Sequence, residues 1–435
     1  MSNLKGPDIT KELFGGIFDS DGAGHFPGLE LINFIVCGAG EILPGPETKE
    51  IRILRRSHDF ARRLVADVLP PELKSKVLLN EHSGNAVAHL LHCLELEAPN
   101  ITKAKSWERT HFFPYTRSLV HWDARGRKTV RGGDETSIKI NQERRYLRGG
   151  GAFAFSVLRH DPDQYRLKSI RDGFRSLYPL KTNSPLETLS AALLKHGEMD
   201  KEAVIDLVEP ETRIRNDKWE NLYRDGIKNI VSHSNLPSVQ RVKAIMNWTG
   251  FWLVILEGAR AAEYLSKSWD GLIVDCAGVH TQLRRASQKC LKTQLTNIED
   301  AAYQQAKIQD GKISNQQINK IKVFFSNTAG TCGILNSTKG RRHFTLKLHI
   351  IEALVLASTE SQRELTFEDF VSNWLGERCG LVLGRNSASA QGMLNAFDAT
   401  IFEENERQFA EQMKATGMLR VYSDATRMVS AEIMQ

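Results

Sequence analysis

Residues 238–265 read SVQRVKAIMNWTGFWLVILEGARAAEYL, and the reading of this stretch decides the fold. Val242, Ile245, Met246, Trp248, Phe251, Trp252, Val254 and Ile255 cover most of the circumference of a 3.6-residue helix, where a surface helix would show only a stripe. A helix apolar on nearly every side must be buried, and burying it takes other helices packed around it. The flanking sequence supplies candidates. LETLSAALLKHG predicts a helix ending at Gly197, and KEAVIDLV a short one after Asp200. Asn216–Val231 predicts a third helix. Gln282 to Asp310 predicts a long polar one, with Arg284, Arg285, Lys289 and Lys292 on its first turns. GLIVDCAG, between them, fits a short buried strand or more helix. The expected class is mainly α, of the α+β kind.

The 435 residues suffice for two or three domains, and 41% apolar with 25% charged residues is ordinary for a globular chain. The expected division is 1–100 mixed α/β, 101–180 basic and aromatic-rich strand and loop, 181–335 helical, and 336–435 a compact tail. The glycine-rich first fifty residues predict short strands and loops, LELINFIVCGAG among them. IRILRRSHDFARRLVADV (51–68) predicts a helix that Pro70 and Pro71 stop, and residues 72–97 a second. The six cysteines form no CxxC pair, so free thiols in a reducing compartment are expected. The N-terminus lacks the charged head and apolar run of a secretory signal, and no apolar run approaches a membrane span. A cytoplasmic chain without membrane contact follows as the expectation.

Charge is unevenly spread. Lys103–Arg148, KAKSWERTHFFPYTRSLVHWDARGRKTVRGGDETSIKINQERRYLR, holds 12 Lys or Arg against 5 Asp or Glu, while the whole chain is only +6. Trp107, Phe112, Phe113, Tyr115, Trp122 and Tyr146 are threaded through it. Cations attract a polyanion, and aromatic faces stack on bases, so nucleic acid is the expected partner and DNA the expected class. Ser118–Trp122 and Thr136–Ile140 predict strands with ARGRKTVRGGDE as a loop between them. Arg125, Arg127, Lys128 and Arg131 on that loop, with Arg144, Arg145 and Arg148 beyond it, are the candidate nucleic-acid-binding residues. The competing account has the charges solvating a loop over an aromatic core. Arg159, Arg166, Lys168, Arg171 and Arg175 extend the basic character. Gly149-Gly150-Gly151 follows neither GxxxxGK[ST] nor GxGxxG spacing, which favours a hinge or a tight start to a helix over a phosphate loop.

No cofactor is expected. His89, His92 and Cys93 stand at i, i+3 and i+4 and could project from one helical turn toward a metal, but no further ligands appear at a recognisable spacing. Asp19 and Asp21 beside glycine could imitate a divalent-ion pair, though turn aspartates usually face solvent. HExxH, GxSxG and Walker A patterns are absent, and Arg224–His233 is too widely spaced for a HEPN-type ribonuclease. Asp134, Glu135 and Lys139 approach the acid-acid-lysine set of a metal-dependent nuclease, with three residues between Glu and Lys where one is usual.

In the last hundred residues, RRHFTLKLHIIEALVLAS predicts a helix, TFEDFVSNWLGERCG a helix capped by Thr366, SASAQGMLNAF another, and Glu403–Thr416 a fourth. LRVYSDATRMVSA predicts a terminal hairpin. Helices followed by a short hairpin over residues 340–435 resemble the winged-helix family, which implies DNA contact through the helix before the hairpin and through the hairpin. Charge opposes the transfer of that role, because from Glu360 onward there are 7 Lys or Arg against 12 Asp or Glu. Only Arg420 and Arg427 in the hairpin, with Arg341, Arg342 and Lys347 upstream, would serve phosphates. The tail is expected to contact protein.

The functional expectation is a non-catalytic nucleic-acid-binding component of a prokaryotic multi-protein system, of the kind accompanying anti-phage defence. The alternatives are a metal-dependent nuclease on Asp134, Glu135 and Lys139, and a structural or adaptor subunit without nucleic-acid contact.

Overall fold

The computed structural model describes residues 2–20, 26–36, 41–48, 50–55, 86, 89, 114–115, 117, 124–128, 138–142, 149–179, 203–208, 212–336, 341–423 and 426–432. The elements run β1 (Ser2–Leu4), α1 (Gly6–Phe14), α2 (Pro27–Val36), β2 (Glu50–Arg55), β3 (Ala124–Lys128), β4 (Ile138–Gln142), α3 (Gly151–Arg159), α4 (Gln164–Leu177) and β5 (Ala203–Val208). Then come α5 (Lys218–Ser232), α6 (Ser238–Tyr264), β6 (Leu272–Ile273), α7 (Thr281–Ile308), β7 (Gly311–Ile313), α8 (Asn315–Cys332) and α9 (Leu348–Ser358). The tail holds β8 (Leu365–Thr366), α10 (Phe367–Asp369, widening into π turns over Phe370–Arg378), β9 (Leu381–Val382), α11 (Arg385–Ala390), α12 (Ala399–Ala415), β10 (Leu419–Ser423) and β11 (Thr426–Val429). The described chain is mainly helical.

Helix α6 is the buried axis that its composition requires, with α2, α5, α7, α8 and α9 packed around it. Trp252 stacks on Tyr223 at 4.0 Å and on Phe153 at 5.6 Å, and Trp248 lies over Trp374 at 5.9 Å. Both indoles are fully buried, and each N–H donates to a carbonyl, Trp248 to Tyr223 at 3.2 Å and Trp252 to Trp219 at 2.8 Å. Each such ring contributes about 3 kcal/mol by burial once its polar atom is satisfied. Gly226 makes room for one of them, since a Cβ there would meet the Trp248 ring at 2.3 Å. A large apolar cluster extends from Ile9 to Val429, and a smaller one of Leu283, Val382, Ala388, Ile401 and Phe402 joins α7 to the tail.

Charge is also built into the interior. Buried Arg260 donates to the Phe14 carbonyl at 2.6 Å, Asp217 at 2.6 Å and Glu220 at 2.8 Å. Buried Arg224 donates to the Val157 carbonyl at 2.9 Å and to Asn216 at 2.8 Å. These guanidiniums tie α1, α3, α5 and α6 together, and their planar forks suit several fixed acceptors at once.

Several local expectations give way. LELINFIV belongs to helix α2, not to a strand, and all ten of its residues from Pro27 to Val36 are buried. A helix buried on every side has no polar face and leaves no helical period in the sequence. Glu50–Arg55 is a strand, not the start of a helix, and Ala203–Val208 is a strand, not a helix; the two pair antiparallel from Glu50↔Val208 to Arg55↔Ala203. Leu272–Ile273 is a short strand, parallel to Leu381–Val382, and β1 pairs parallel with β7. The expected helices at 56–68, most of 72–97 and 186–197 lie outside the described residues. In the tail, Thr366 caps α10 by accepting from the Asp369 N–H at 3.1 Å, and β10, β11 and β8 form an antiparallel sheet in that order.

Candidate nucleic-acid interface

Ala124–Lys128 was expected as a loop and is a strand, so Arg125, Arg127 and Lys128 stand on a two-stranded ribbon. Its partner is Ile138–Gln142, two residues later than the expected strand at Thr136–Ile140. The alternation Ile-Lys-Ile-Asn predicts this second strand. The first, Ala-Arg-Gly-Arg-Lys, has no apolar period and becomes a strand by pairing with it. The register sets Arg125 opposite Asn141 and Arg127 opposite Lys139. Directly opposed residues share a face of an antiparallel ladder, so positions 125, 127, 139 and 141 form one face, three of them cationic. A two-stranded ribbon is narrow enough for the major groove of DNA.

The other candidates fall as follows. Arg131, Arg144, Arg145, Arg148, Asp134, Glu135, His92 and Cys93 lie outside the described residues, as do Asp21 and Ser118–Trp122. Lys139 is placed only by its register with Arg127. His89 is helical and exposed. No group of three metal-ligating side chains occurs among the described residues. Tyr115 is 4% exposed and offers no face to a base; burial pushes its phenol up, and Lys243 lies 5.9 Å from its ring centre. Arg117 is buried too and donates to the Tyr178 carbonyl at 3.1 Å.

The basic extension beyond the glycines is largely tied into the fold. Arg159 is buried and reaches the carbonyls of Pro44, Gly45 and Thr48. Arg166 bonds Asp161 at 2.6 Å and Asp225 at 2.7 Å, Arg171 the Leu43 carbonyl at 2.8 Å, and Arg175 Glu41 at 2.8 Å. Of the five, Lys168 alone is exposed without a bonded partner among the described residues. The triple glycine is a tight start to α3. Gly149 and Gly150 have φ of +81° and +75°, and Gly149 sits where a Cβ would meet the Ile17 carbonyl oxygen at 2.1 Å. The buried carboxylate of Glu30 accepts from the N–H groups of Gly149, Gly151 and Ala152 at 3.2, 2.9 and 3.3 Å. The positive end of α3 is thus occupied by the protein's own anion.

The hairpin arginines of the tail are likewise committed. Arg420 bonds Glu364 at 3.3 Å and the Glu432 carbonyl at 2.6 Å, while Arg427 pairs with Glu368 and covers the Phe367 ring at 4.4 Å. On α12, Glu403, Arg407, Glu411 and Lys414 are exposed, with Glu403 paired to Arg385 and Arg407 to Glu404. Helix α7 differs. Arg284 is held by Asp275 and the Gly278 carbonyl, but Arg285, Lys289 and Lys292 are exposed and have no ion-pair partner among the described residues.

No family model, curated protein or solved structure matches the chain. No helix among the described residues is long and apolar enough to cross a membrane.

Proposed function

We propose that the chain is a non-catalytic nucleic-acid-binding protein, with DNA as its expected ligand, that engages the backbone through the basic segment around β3 and β4. The observation that carries this reading is the pairing of Arg127 with Lys139, next to Arg125 on the same face. Cations clustered along a basic segment attract a polyanion, and its binding releases counterions.

The tail is proposed as a winged-helix-type unit used for protein contact. In its support, α9, β8, α10, β9, α11 and α12 precede a terminal hairpin of β10 and β11, and β8 pairs with β11. The tail from Glu360 onward is net acidic and both hairpin arginines are engaged internally, which favours a protein partner over phosphates. An adaptor without nucleic-acid contact draws support from the burial of Tyr115 and Arg117 within the basic stretch.

The deciding experiment is fluorescence anisotropy with a short labelled DNA duplex across a salt series. Binding at low salt that weakens steeply with added salt is expected, and R125E/R127E/K128E should weaken it and flatten the slope. An absence of binding to DNA and RNA at low ionic strength rejects the proposal.

A further inference from the structure

A second basic region is larger than the first and less obvious in the sequence. Residues 276–351 contain 12 Lys or Arg against three acids, Glu299, Asp300 and Asp310. The excess of nine exceeds that of Lys103–Arg148, but it is diluted over a longer stretch with no aromatic run to draw attention to it. Folding concentrates it. On α7 the buried residues Leu283, Ser287, Leu291, Gln294 and Ile298 form one stripe, and Arg285, Lys289 and Lys292 stand at i, i+4 and i+7 on the opposite side. The segment before α9 is bonded along the flank of the same helix. Phe344 donates its N–H to Ser287 Oγ at 2.8 Å, and Asp275 both donates its N–H to the Phe344 carbonyl at 2.9 Å and faces Arg284 at 3.2 Å. Arg342 is two residues from Phe344, within about 7 Å along the chain, and Arg341 precedes it. Both are exposed.

Nearby carboxylates do not neutralise these five cations. Asp275 is buried and occupied by Arg284 and the Gly278 N–H. Glu404 is taken by Arg407 and Gln408, Glu299 by Lys322 and Asp300 by Lys267. Arg285, Lys289, Lys292, Arg341 and Arg342 have no ion-pair partner among the described residues. Five exposed like charges on a rigid helix and its flank repel one another and are stabilised by an external polyanion. Tyr303, the one aromatic residue of α7, bonds Asn315 and lies beyond the acids Glu299 and Asp300. Without a stacking surface among them, these cations suit a phosphodiester backbone and do not suit unstacked bases.

We infer that the outer face of α7, with Arg341 and Arg342, is a second phosphate-backbone contact surface that holds nucleic acid against the rigid helical core. The inference rests on the nucleic-acid reading proposed above. It adds an anchor distinct from the β3–β4 ribbon, so the bound strand is held at two places and the salt dependence counts contacts from both.

The test is the same anisotropy titration on the full chain, with wild type, R285Q/K289Q/K292Q, R341Q/R342Q and R125E/R127E/K128E. Loss of three phosphate contacts should make the slope of log K against log salt shallower by about 2.7, and loss of two by about 1.8. A matched single-stranded RNA should lose affinity in parallel with the duplex, because backbone contact does not read bases. Melting temperatures near wild type show that the fold is intact, and K289Q alone, shifting the slope by about 0.9, covers the case in which a triple variant fails to fold. A wild-type slope in both the α7 and the Arg341–Arg342 variants, with a defective ribbon variant, overturns this inference and leaves the proposed function standing. A defect confined to the α7 variants keeps the inference and removes the ribbon as carrier. Absence of wild-type binding at low salt overturns both.

Discussion

His233 Nδ1 lies 2.8 Å from Glu432 Oε1, joining the end of α5 to the last described turn of the chain, with the two side chains 1% and 8% exposed. The other ring nitrogen faces the Thr359 and Leu356 carbonyls at 2.9 and 3.3 Å, and Ser361 Oγ donates to both carboxylate oxygens at 2.9 and 3.1 Å. Burial alone would raise the Glu432 carboxyl, but the His233 and Ser361 hydrogen bonds outweigh it and hold the group below the usual carboxylate range. A depressed carboxyl contributes stability above its unfolded value, about 4.3, and loses it as pH falls through the lower folded value. Glu432→Gln should therefore be less stable than wild type at pH 7 by about 2 kcal/mol. In urea titrations the gap should close as pH drops below about 4. A gap independent of pH would show that the carboxylate charge is not what matters there.

Asn405 uses its whole hydrogen-bonding capacity. Its oxygen accepts from the Cys276 and Ala277 N–H groups at 2.8 and 3.0 Å, and its nitrogen donates to the Val274 and Leu383 carbonyls at 2.9 Å each. The residue is fully buried and fixes α12 to the chain leaving β6 and β9. Asn405→Leu, close in volume, strands two N–H groups and two carbonyls and should cost about 3 kcal/mol or more. Thermal denaturation reads this directly, and a loss under about 1 kcal/mol would mean that water replaces the side chain.

Glu30→Ala should destabilise by about 3 kcal/mol, because three N–H groups at the start of α3 lose their acceptor inside the protein. Glu30→Gln keeps the oxygen and should recover part of that loss. Gly149→Ala combines a left-handed backbone with the Ile17 carbonyl contact and should cost at least as much. Added phosphate should rescue none of these variants. Phosphate-dependent stabilisation of Glu30→Ala would reopen the triple glycine as an anion site.

The helical architecture was legible where burial left a period or a cap. Residues 238–265 announced a buried helix by being apolar on nearly every side, and Thr366 announced its cap. LELINFIV and KEAVIDLV were not legible, because short apolar runs satisfy helix and strand templates equally and tertiary partners decide between them. For Ala203–Val208 that partner is Glu50–Arg55, about 150 residues earlier. The basic segment was legible as composition, but Ala124–Lys128 was expected as a loop and is a strand. Arginines look alike in sequence whether they face solvent or, like Arg159 and Arg166, hold interior carbonyls and carboxylates.

Glu257 is the counterpart of Glu432, with the sign reversed. It is fully buried in α6, and neither carboxyl oxygen has a hydrogen-bond partner among the described residues. Burial raises its carboxyl well above the usual range. Below about pH 4 the group is neutral in both folded and unfolded chains and titration contributes nothing to the difference. As pH rises, the unfolded chain ionises while the folded one stays protonated, and stability falls by up to about 1.4 kcal/mol per pH unit until the folded group ionises. Glu257→Gln mimics the protonated form without titrating. It should match wild type near pH 4 and become progressively more stable than wild type toward neutral pH. Urea unfolding of both proteins at several pH values measures that divergence. Parallel stability curves would show that Glu257 ionises in the folded protein much as it does in the unfolded chain.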